Sequence, residues 1–236
     1  MVFISFLDFH RKKIGIRHLN DDYRNSYEKN SKEYINANFS QSPLYQIVDV
    51  EGINVETRII EDKTYKSNTP YEQKIMLLKP DIILENGSYV RFVNKSTKKN
   101  ETWLLMFYES NILCPKSYIR YCNKTLKYGK EEYPCTITSN IGISSDMEEN
   151  KELVLPRGYL LAYVKATEDT LNTKEGQRFL IDNNAYEVQT IDIVSNTENR
   201  IGIVQMNLKQ VPKNNDESIE NDVEKNIDNS NKDWKW

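Results

Sequence analysis

Apolar and polar positions alternate along two neighbouring stretches of the chain, 87–94 and 101–128, which are rich in aromatic and β-branched residues. The longer stretch covers 101–128 and is interrupted by a polar trio at 109–111. Side chains of these types suit a pleated, half-buried surface, so the pattern predicts antiparallel strands joined by short turns. Just upstream, residues 87–94 alternate in the same way, and a polar tip at 95–100 turns the chain back toward Trp103. We therefore expect a curved antiparallel unit at the centre of a small barrel.

The same plan returns in a second unit, which comprises residues 176–183, 186–194 and 200–208. When the tip at 95–100 is left out, the two units align at three positions: Gly87 with Gly176, Asn94 with Asn183, and Trp103 with Tyr186. The alignment favours two related β-modules in series. Glycine, aromatic and alternating apolar residues are common in strands, however, and also produce chance similarity.

These patterns predict a mainly β fold with two small antiparallel barrels, SH3-like or OB-like, in series. A polar segment with several tyrosines at 20–38 predicts an N-terminal helix on the surface. The predicted divisions are an N-terminal arm and helix at 1–40, a first β-module at 41–148, a second β-module at 149–211, and a disordered acidic tail at 212–236. The aromatic residues expected in the core are Trp103, Phe92, Tyr118, Phe179 and Tyr186.

Three segments are candidates for contacts outside the barrels. A long polar loop at 61–71 follows a predicted hairpin at 44–60, and such loops carry function when a rigid scaffold holds their ends. Its candidate channel or neighbour residues are Lys63, Tyr65, Lys66 and Tyr71. The N-terminal segment is either an arm that docks on a neighbour or a first element packed under the chain's own barrel. The candidate subunit or portal contacts are Phe3, Phe6, Phe9, Tyr23 and Tyr27. At the C-terminus, Trp234 and Trp236 either anchor the tail on a partner or remain unbound.

The charge balance argues against a dedicated nucleic-acid binder. The formal net charge is −3, and the acidic tail accounts for it, so the barrels are neutral overall. Nucleic-acid binding depends on many Lys and Arg side chains that face phosphates. The sequence also lacks an apolar run long enough to cross a bilayer and a secretory signal pattern at its start. We expect no membrane association and synthesis in the cytoplasm.

No motif in the sequence indicates catalysis. The patterns of a hydrolase nucleophile, a phosphate-binding loop, a zinc protease and a dinucleotide site are all missing. His10 and His18 lie beside basic residues without a nearby acid or cysteine cluster, which favours solvated or packing roles. Cys114, Cys122 and Cys135 lack the spacing of a zinc site, and we expect inert core thiols. The sequence predicts no enzyme, no cofactor and no metal.

One feature is typical of nucleic-acid binding, namely a basic loop tip with Lys95, Lys98 and Lys99. Near aromatic side chains, such a tip forms a stacking platform with phosphate contacts in single-strand-binding barrels. The aromatic residues close to it in sequence are Trp103, Phe107 and Tyr108. A lysine-rich tip is more commonly a soluble surface. Both interpretations stay open at this point.

Several segments together carry a family resemblance: Phe6–Phe9, Met76–Pro80, Trp103 with Ile112–Lys127, Tyr133–Cys135, and Gly176–Ile181 with Tyr186–Val188 and Ile191–Asp192. Over about residues 1–211 the chain resembles neck proteins of tailed phages and prophages of Gram-positive bacteria, of the head-closure (stopper) or connector type. The resemblance implies small barrels that form a ring beneath the portal, with a loop or arm that reaches into the channel or onto a neighbour. Unlike a minimal single-barrel stopper, this chain has a second module and a tail.

The resulting expectation is a non-enzymatic virion protein of the phage neck, made in the host cytoplasm. It would form a homo-oligomeric ring, a hexamer or dodecamer, that contacts a portal or adaptor protein and a tail protein and surrounds packaged double-stranded DNA. Two alternatives remain. One is a single-stranded nucleic-acid-binding barrel that uses Lys98, Lys99 and Trp103, and the other is a tail or baseplate structural protein.

Overall fold

The computed structural model describes residues 21–62, 73–95, 97–138 and 158–213. The first part contains helix α1 (Asp21–Asn38), a 3-10 turn (Phe39–Gln41), β1 (Tyr45–Val50), β2 (Ile53–Glu61), β3 (Gln73–Leu78), β4 (Tyr89–Val93), β5 (Asn100–Glu109) and β6 (Lys116–Tyr121). The second part contains β7 (Lys124–Tyr128), β8 (Glu131–Thr138), β9 (Tyr159–Lys165), helix α2 (Glu168–Leu171), β10 (Arg178–Ile181), β11 (Asn184–Asp192), β12 (Thr197–Glu198) and β13 (Ile201–Val211). The fold is mainly β and has a helix before the first strand, as the sequence predicts.

The first six strands form a closed antiparallel barrel, barrel 1, in the order β1-β2-β3-β6-β5-β4. Strands β1 and β4 close it, and Val50 lies opposite Val90 at this seam. Side chains alternate between the two faces of each strand, so about half of them point inward. Trp103 is completely buried in this core, and Phe92 stacks on it with 5.7 Å between the ring centroids.

The remaining strands form a second curled sheet, barrel 2, in the order β7-β8-β9-β13-β11-β10, with β12 paired to β13. Its two terminal strands meet through side chains. The rings of Tyr128 and Phe179 are 5.1 Å apart, and Lys124 forms an ion pair with Asp182. In the part of the chain that the structure describes, no hydrogen-bonded ladder joins β7 to β10. Phe179 is buried in the core of barrel 2, and Tyr186 packs against that core.

Barrel 2 repeats barrel 1 strand for strand. The first hairpin of each barrel has a two-residue turn, at 51–52 between β1 and β2 and at 129–130 between β7 and β8. In each barrel the last strand, β6 or β13, pairs with the third and the fifth strands. The seam contact between β1 and β4 in barrel 1 corresponds to the ring contact between β7 and β10 in barrel 2. The predicted arrangement of two β-modules in series is confirmed.

The repeat extends to individual hydrogen bonds. The Gly87 N–H donates to the Leu105 carbonyl at 2.8 Å, and the Gly176 N–H donates to the Val188 carbonyl at the same distance. Both glycines are left-handed, with φ of +84° and +83°. Just beyond each accepting residue, the ladder to the last strand of the barrel shifts register at a β-bulge. The structure therefore supports the alignment of Gly87 with Gly176 that the sequence predicts.

The division between the barrels differs from the predicted boundary at 148/149. The sequence pattern assigns β7 and β8 to the first module, at 41–148, but β8 pairs with β9 and both strands belong to barrel 2. The barrels instead meet at 122–123, between β6 and β7. That prediction was wrong because the connection between the barrels is as short as a turn within one sheet. The residues at the predicted boundary lie outside the described part.

One residue predicted in the core lies outside it. Tyr118 alternates along β6 with Ser117 and Ile119, which are both completely buried, so it points to the outer face. There its ring contacts the exposed ring of Phe107, with 6.2 Å between centroids. Its hydroxyl group donates a hydrogen bond to Glu109 at 3.2 Å. Tyr118 therefore belongs to the surface of barrel 1.

An apolar contact, here called the joint, packs the two barrels together. Its buried residues are Tyr89 and Leu104 from barrel 1 and Ile203 from barrel 2. The Tyr89 hydroxyl donates a hydrogen bond to the Pro134 carbonyl at 2.8 Å. Beside it, Glu51 of barrel 1 and Lys165 of barrel 2 form an ion pair at 2.8 Å. Burial and polar contacts thus combine to hold one barrel against the other.

The chain that leaves helix α1 packs on barrel 1 through a contact between a lysine and an aromatic ring, and a similar contact occurs at the joint. Phe39, which follows the helix, is only 1% exposed, and the Arg58 guanidinium donates to its carbonyl at 3.0 Å. This bond satisfies an acceptor that a helix end leaves unpaired. Lys79 Nζ lies 5.7 Å from the centre of the Phe39 ring, and the equivalent Lys165 Nζ lies 5.8 Å from that of Tyr89. In each barrel, the lysine that follows or ends the third strand therefore lies beside an aromatic side chain from outside that barrel, Phe39 of the 3-10 turn or Tyr89 of β4.

Candidate interaction surfaces

Helix α1 turns three tyrosines to solvent. Tyr23, Tyr27 and Tyr34 are 69%, 56% and 72% exposed. Positions i, i+4 and i+11 fall within about 40° around a helix, so the three rings share one side. The opposite side is held to barrel 1 by Lys32, which pairs with Asp81 at 2.8 Å. Tyr23 and Tyr27 are the contacts predicted from the sequence, and the i+11 spacing is the signal that adds Tyr34.

The strip of helix surface around these three tyrosines carries no charged residue. We call it the tyrosine face and define it by Tyr23, Ser26, Tyr27, Asn30, Tyr34 and Ala37. The helix charges lie at its flanks or toward the barrel, where Glu28 pairs with Lys32 at 2.9 Å. A surface helix usually turns its charged residues to water. An uncharged aromatic face is instead typical of the centre of a protein interface.

A cleft of about 600 Å³ lies between the barrels, beside the joint. Barrel 1 contributes residues 84–86 and the end of β5, and barrel 2 contributes the turn at 195–199. Phe107 and Ile201 line the cleft and are 54% and 48% exposed. These residues are far apart in sequence, so only the packing of the two barrels brings them together.

The long loop predicted from the sequence leaves barrel 1 at the rim of an opening of about 720 Å³. Strand β2 ends at Glu61 and β3 begins at Gln73, and both ends of the connection lie at this rim. The Gln73 amide donates to the Asp62 carboxylate at 2.7 Å, which ties the two ends together. The candidate loop residues Lys63, Tyr65, Lys66 and Tyr71 lie outside the described part.

Barrel 2 has a long connection at the equivalent corner. Residues 139–158 join β8 to β9, as residues 62–72 join β2 to β3. The predicted boundary between the modules, at 148/149, falls within this connection, but the strands on either side of it pair with each other, with Thr138 opposite Leu161. The duplication therefore places two long connections at matching corners of the two barrels.

The stacking platform that the sequence allows is not assembled. Trp103 is completely buried, so its ring cannot stack on a base. Phe107 is exposed, but it lies roughly 25 Å along β5 from Lys99, at a rise of about 3.3 Å per residue. The bulge between Leu105 and Phe107 reverses the alternation, which puts Trp103 inside the barrel and Phe107 outside. The interpretation that joins Trp103 to Lys98 and Lys99 as a nucleic-acid site is wrong.

Two of the three cysteines, Cys122 and Cys135, lie in surroundings that suppress thiol reactivity. All three are free, and Cys135 is buried. Burial raises the pKa of Cys122 to about 12 and also raises the pKa of Cys135. Because the thiolate is the reactive form, neither residue is a nucleophile near neutral pH.

Across the described ranges, no group of His, Cys, Asp and Glu side chains could hold a metal ion. None of the helices described here is long and apolar enough to cross a membrane.

The remaining candidates lie outside the residues that the structure describes. They are Phe3, Phe6 and Phe9 near the N-terminus and Trp234 and Trp236 at the C-terminus. Their roles in subunit contacts and in anchoring the tail stay predictions.

Comparison with protein-family models finds that residues 118–209 match the YomX C-terminal domain, which is a phage-type domain. The match begins within β6 and ends within β13, so it contains nearly all of barrel 2 and covers less than half of the chain. It agrees with a phage protein and does not specify a neck or connector family. No curated protein and no solved structure matches the chain.

Proposed function

We propose, on the premise of the phage-type match at residues 118–209, that this chain is a structural protein of a phage particle and acts in the neck. That match, which contains nearly all of barrel 2, carries the assignment to a phage particle, and the resemblance of about residues 1–211 to neck proteins extends the proposal to the neck. In this role the chain forms a hexameric or dodecameric ring between portal or adaptor protein and tail protein, with packaged double-stranded DNA on its axis. It works by binding, without catalysis, cofactor or metal.

Two different exposed surfaces support assembly into a ring. A ring repeats one heterologous contact around its axis, and this requires two unlike patches on every copy. The tyrosine face of α1 offers an uncharged aromatic patch, and the cleft beside the joint offers Phe107 and Ile201. Tyrosine and phenylalanine are enriched where protein interfaces exclude water. The two patches therefore supply what a ring contact needs.

The two long connections support a position beside a channel. They leave matching corners of the two barrels, at 62–72 and 139–158. In the first, Lys63 and Lys66 balance the charges of Asp62 and Glu72. Each phosphate that a protein neutralises adds affinity for DNA. A loop of balanced charge would therefore let DNA pass rather than hold it.

The test uses particles purified from a host that encodes the chain. Quantitative mass spectrometry would compare the copies of this chain with those of the major capsid protein, and immunogold labelling would locate it on the particle. We expect a copy number that corresponds to one hexamer or dodecamer per particle and label at the junction of head and tail. Label at the distal end of the tail would instead support the tail or baseplate alternative. Absence of the chain from particles would overturn the proposal.

A further inference from the structure

We propose that the tyrosine face of α1 joins two free copies of this chain as an antiparallel twofold pair centred on Asn30. The face is fully formed in the single copy. Its three tyrosine rings are more than half exposed, and in the described part of the chain no other element covers them. The proposal commits to a second copy of the same chain as the occupant of this surface.

Charge is the first argument for a second copy. In a twofold contact the same patch meets itself, so any net charge on the patch repels its own copy. The tyrosine face consists of Tyr, Asn, Ser and Ala only. Its charged neighbours Arg24, Lys29 and Glu33 lie at the flanks of the helix. Two copies of this face can therefore meet without like charges at the centre of the contact.

The order of large and small side chains is the second argument. In an antiparallel pair centred on residue 30, a residue n positions before Asn30 in one copy lies level with the residue n positions after Asn30 in the other copy. Tyr34 of one copy then lies level with Ser26 of the other, and Tyr23 with Ala37, so two of the three rings meet small side chains. The third, Tyr27, lies level with Glu33, whose carboxylate can accept a hydrogen bond from the tyrosine hydroxyl group. Asn30 lies beside its own symmetry mate, where carboxamide groups can donate and accept in turn. Close packing requires this interdigitation of large and small groups.

The attachment of the helix is the third argument. Lys32 on the opposite side binds Asp81, and Phe39 at the helix end is buried under Arg58. The tyrosine face is thus presented on a helix that is already fixed to barrel 1. Less conformational entropy is lost on association when the binding surface is ordered beforehand.

The size of the face predicts a weak pair. The tyrosines span eleven residues, or about 17 Å of helix at 1.5 Å per residue. A single helix contact of that length buries less area than the roughly 1,200–2,000 Å² of stable complexes. The pairing should therefore depend on concentration and dissociate on dilution.

The twofold pair has a consequence for assembly, and only this consequence rests on the proposed function. A contact in which a patch meets itself cannot close a polar ring, which needs a heterologous contact. In the pair the tyrosine face is covered, and so it is withheld from the next copy of a ring. Free chains would then stay paired until a partner with a better surface displaces one of them.

Cysteine cross-linking tests the geometry of the pair. The full chain carrying Cys114→Ser, which removes the more accessible native thiol, receives either Asn30→Cys or Asn36→Cys. Both positions are exposed on α1, but position 36 points away from the tyrosine face. A disulfide needs Cα atoms within about 7 Å, so N30C should form covalent dimers at least about tenfold faster than N36C. Equal rates for the two variants would overturn the proposal.

Light scattering of the chain without added cysteines gives an independent readout. We expect the unmodified chain to shift from monomer to dimer with concentration, and Tyr34→Ala to weaken this association about tenfold or more, as loss of an interface anchor does. Ile83→Ser is the matched control, because Ile83 is 78% exposed and lies off the helix. The pair would be overturned if the chain without added cysteines formed a dimer or a larger ring that Tyr34→Ala did not weaken. That outcome would leave the neck proposal intact. A chain that stays monomeric at high concentration would overturn the pair as well.

Discussion

Gly87 and Gly202 approach each other across the joint so closely that no side chain fits between them. A Cβ atom on Gly87 would lie 1.8 Å from the carbonyl oxygen of Gly202. That oxygen accepts a hydrogen bond from the Ala166 N–H at 2.8 Å, so it is held in place. The two barrels thus pack backbone against backbone at this point. Gly176, the repeat equivalent of Gly87, has open space around its Cα instead.

This difference makes Gly87→Ala and Gly176→Ala a matched pair. Both glycines have positive φ, so alanine adds about 1–2 kcal/mol of backbone strain at either position. At position 87 the clash with fixed backbone adds overpacking, and we expect a total loss of about 3 kcal/mol or more in the free energy of unfolding. Urea denaturation followed by circular dichroism measures both variants. Equal losses would show that the joint tolerates a side chain there.

Ser117 offers a substitution that should stabilise the protein. Its hydroxyl group is buried in barrel 1 and finds no hydrogen-bond partner among the described residues. Burying an unsatisfied polar group costs free energy, so Ser117→Ala should raise the free energy of unfolding by about 1 kcal/mol. The control is Thr57→Val, because the buried Thr57 hydroxyl donates to the Leu77 carbonyl at 3.0 Å. That variant should lose about 1 kcal/mol. A loss in S117A measured by urea denaturation would contradict the account.

The ion pair of Glu51 with Lys165 predicts a pH dependence. Burial alone would raise the pKa of Glu51, but the Lys165 ammonium and the Tyr89 N–H outweigh it and hold that pKa below the ordinary value. A carboxyl group with a depressed folded-state pKa stabilises the fold above its unfolded pKa, and this contribution is lost as the pH falls through the folded pKa. Glu51→Gln should therefore be less stable than the natural chain at pH 7.

The two proteins should converge in stability below about pH 4, where the natural carboxyl group also becomes neutral. Urea midpoints from pH 7 to pH 3 measure this difference. Because Glu51 is partly exposed, water screens the pair and the effect at pH 7 should be small. A difference that stays constant over the whole range would show that the charge of Glu51 does not carry the effect.

Thiol labelling tests the environment of the three cysteines. Cys114 is partly exposed, whereas burial raises the pKa values of Cys122 and Cys135. A disulfide reagent at pH 8 should therefore label Cys114 in the folded chain and all three residues in denaturant. The variant Cys114→Ser should show almost no labelling while folded. Rapid labelling of two or three thiols in the native chain would mean that the joint opens readily.

The sequence predicts local features of this fold well. The hairpin at 44–60 and the alignment of Gly87 with Gly176 both follow from short-range patterns, since turn residues and alternation act over a few positions. Helix α1 also follows from its sequence, and its tyrosines at 23, 27 and 34 share a face because of helical geometry alone.

The errors have a common cause, because each depends on information that is not local. The bulge between Leu105 and Phe107 reverses which side chains face inward along β5, and no residue type announces it. The outward positions of Phe107 and Tyr118 depend on the phase of alternation in their strands, which the pairing around the barrel sets. The boundary at 122–123 was missed because a short connection between two barrels resembles a turn within one.

The sequence by itself determined the strands, their turns and the duplication, because backbone preference and side-chain alternation act between near neighbours. Only the tertiary structure decided that β7 and β8 belong to barrel 2, that Gly87 touches Gly202, and that Phe107 and Ile201 line one cleft. It also decided that Lys32 of α1 binds Asp81 of barrel 1 while the tyrosines of the helix face solvent. These relationships join residues that are distant in the chain, and they arise from burying apolar surface and pairing buried polar groups across the whole molecule.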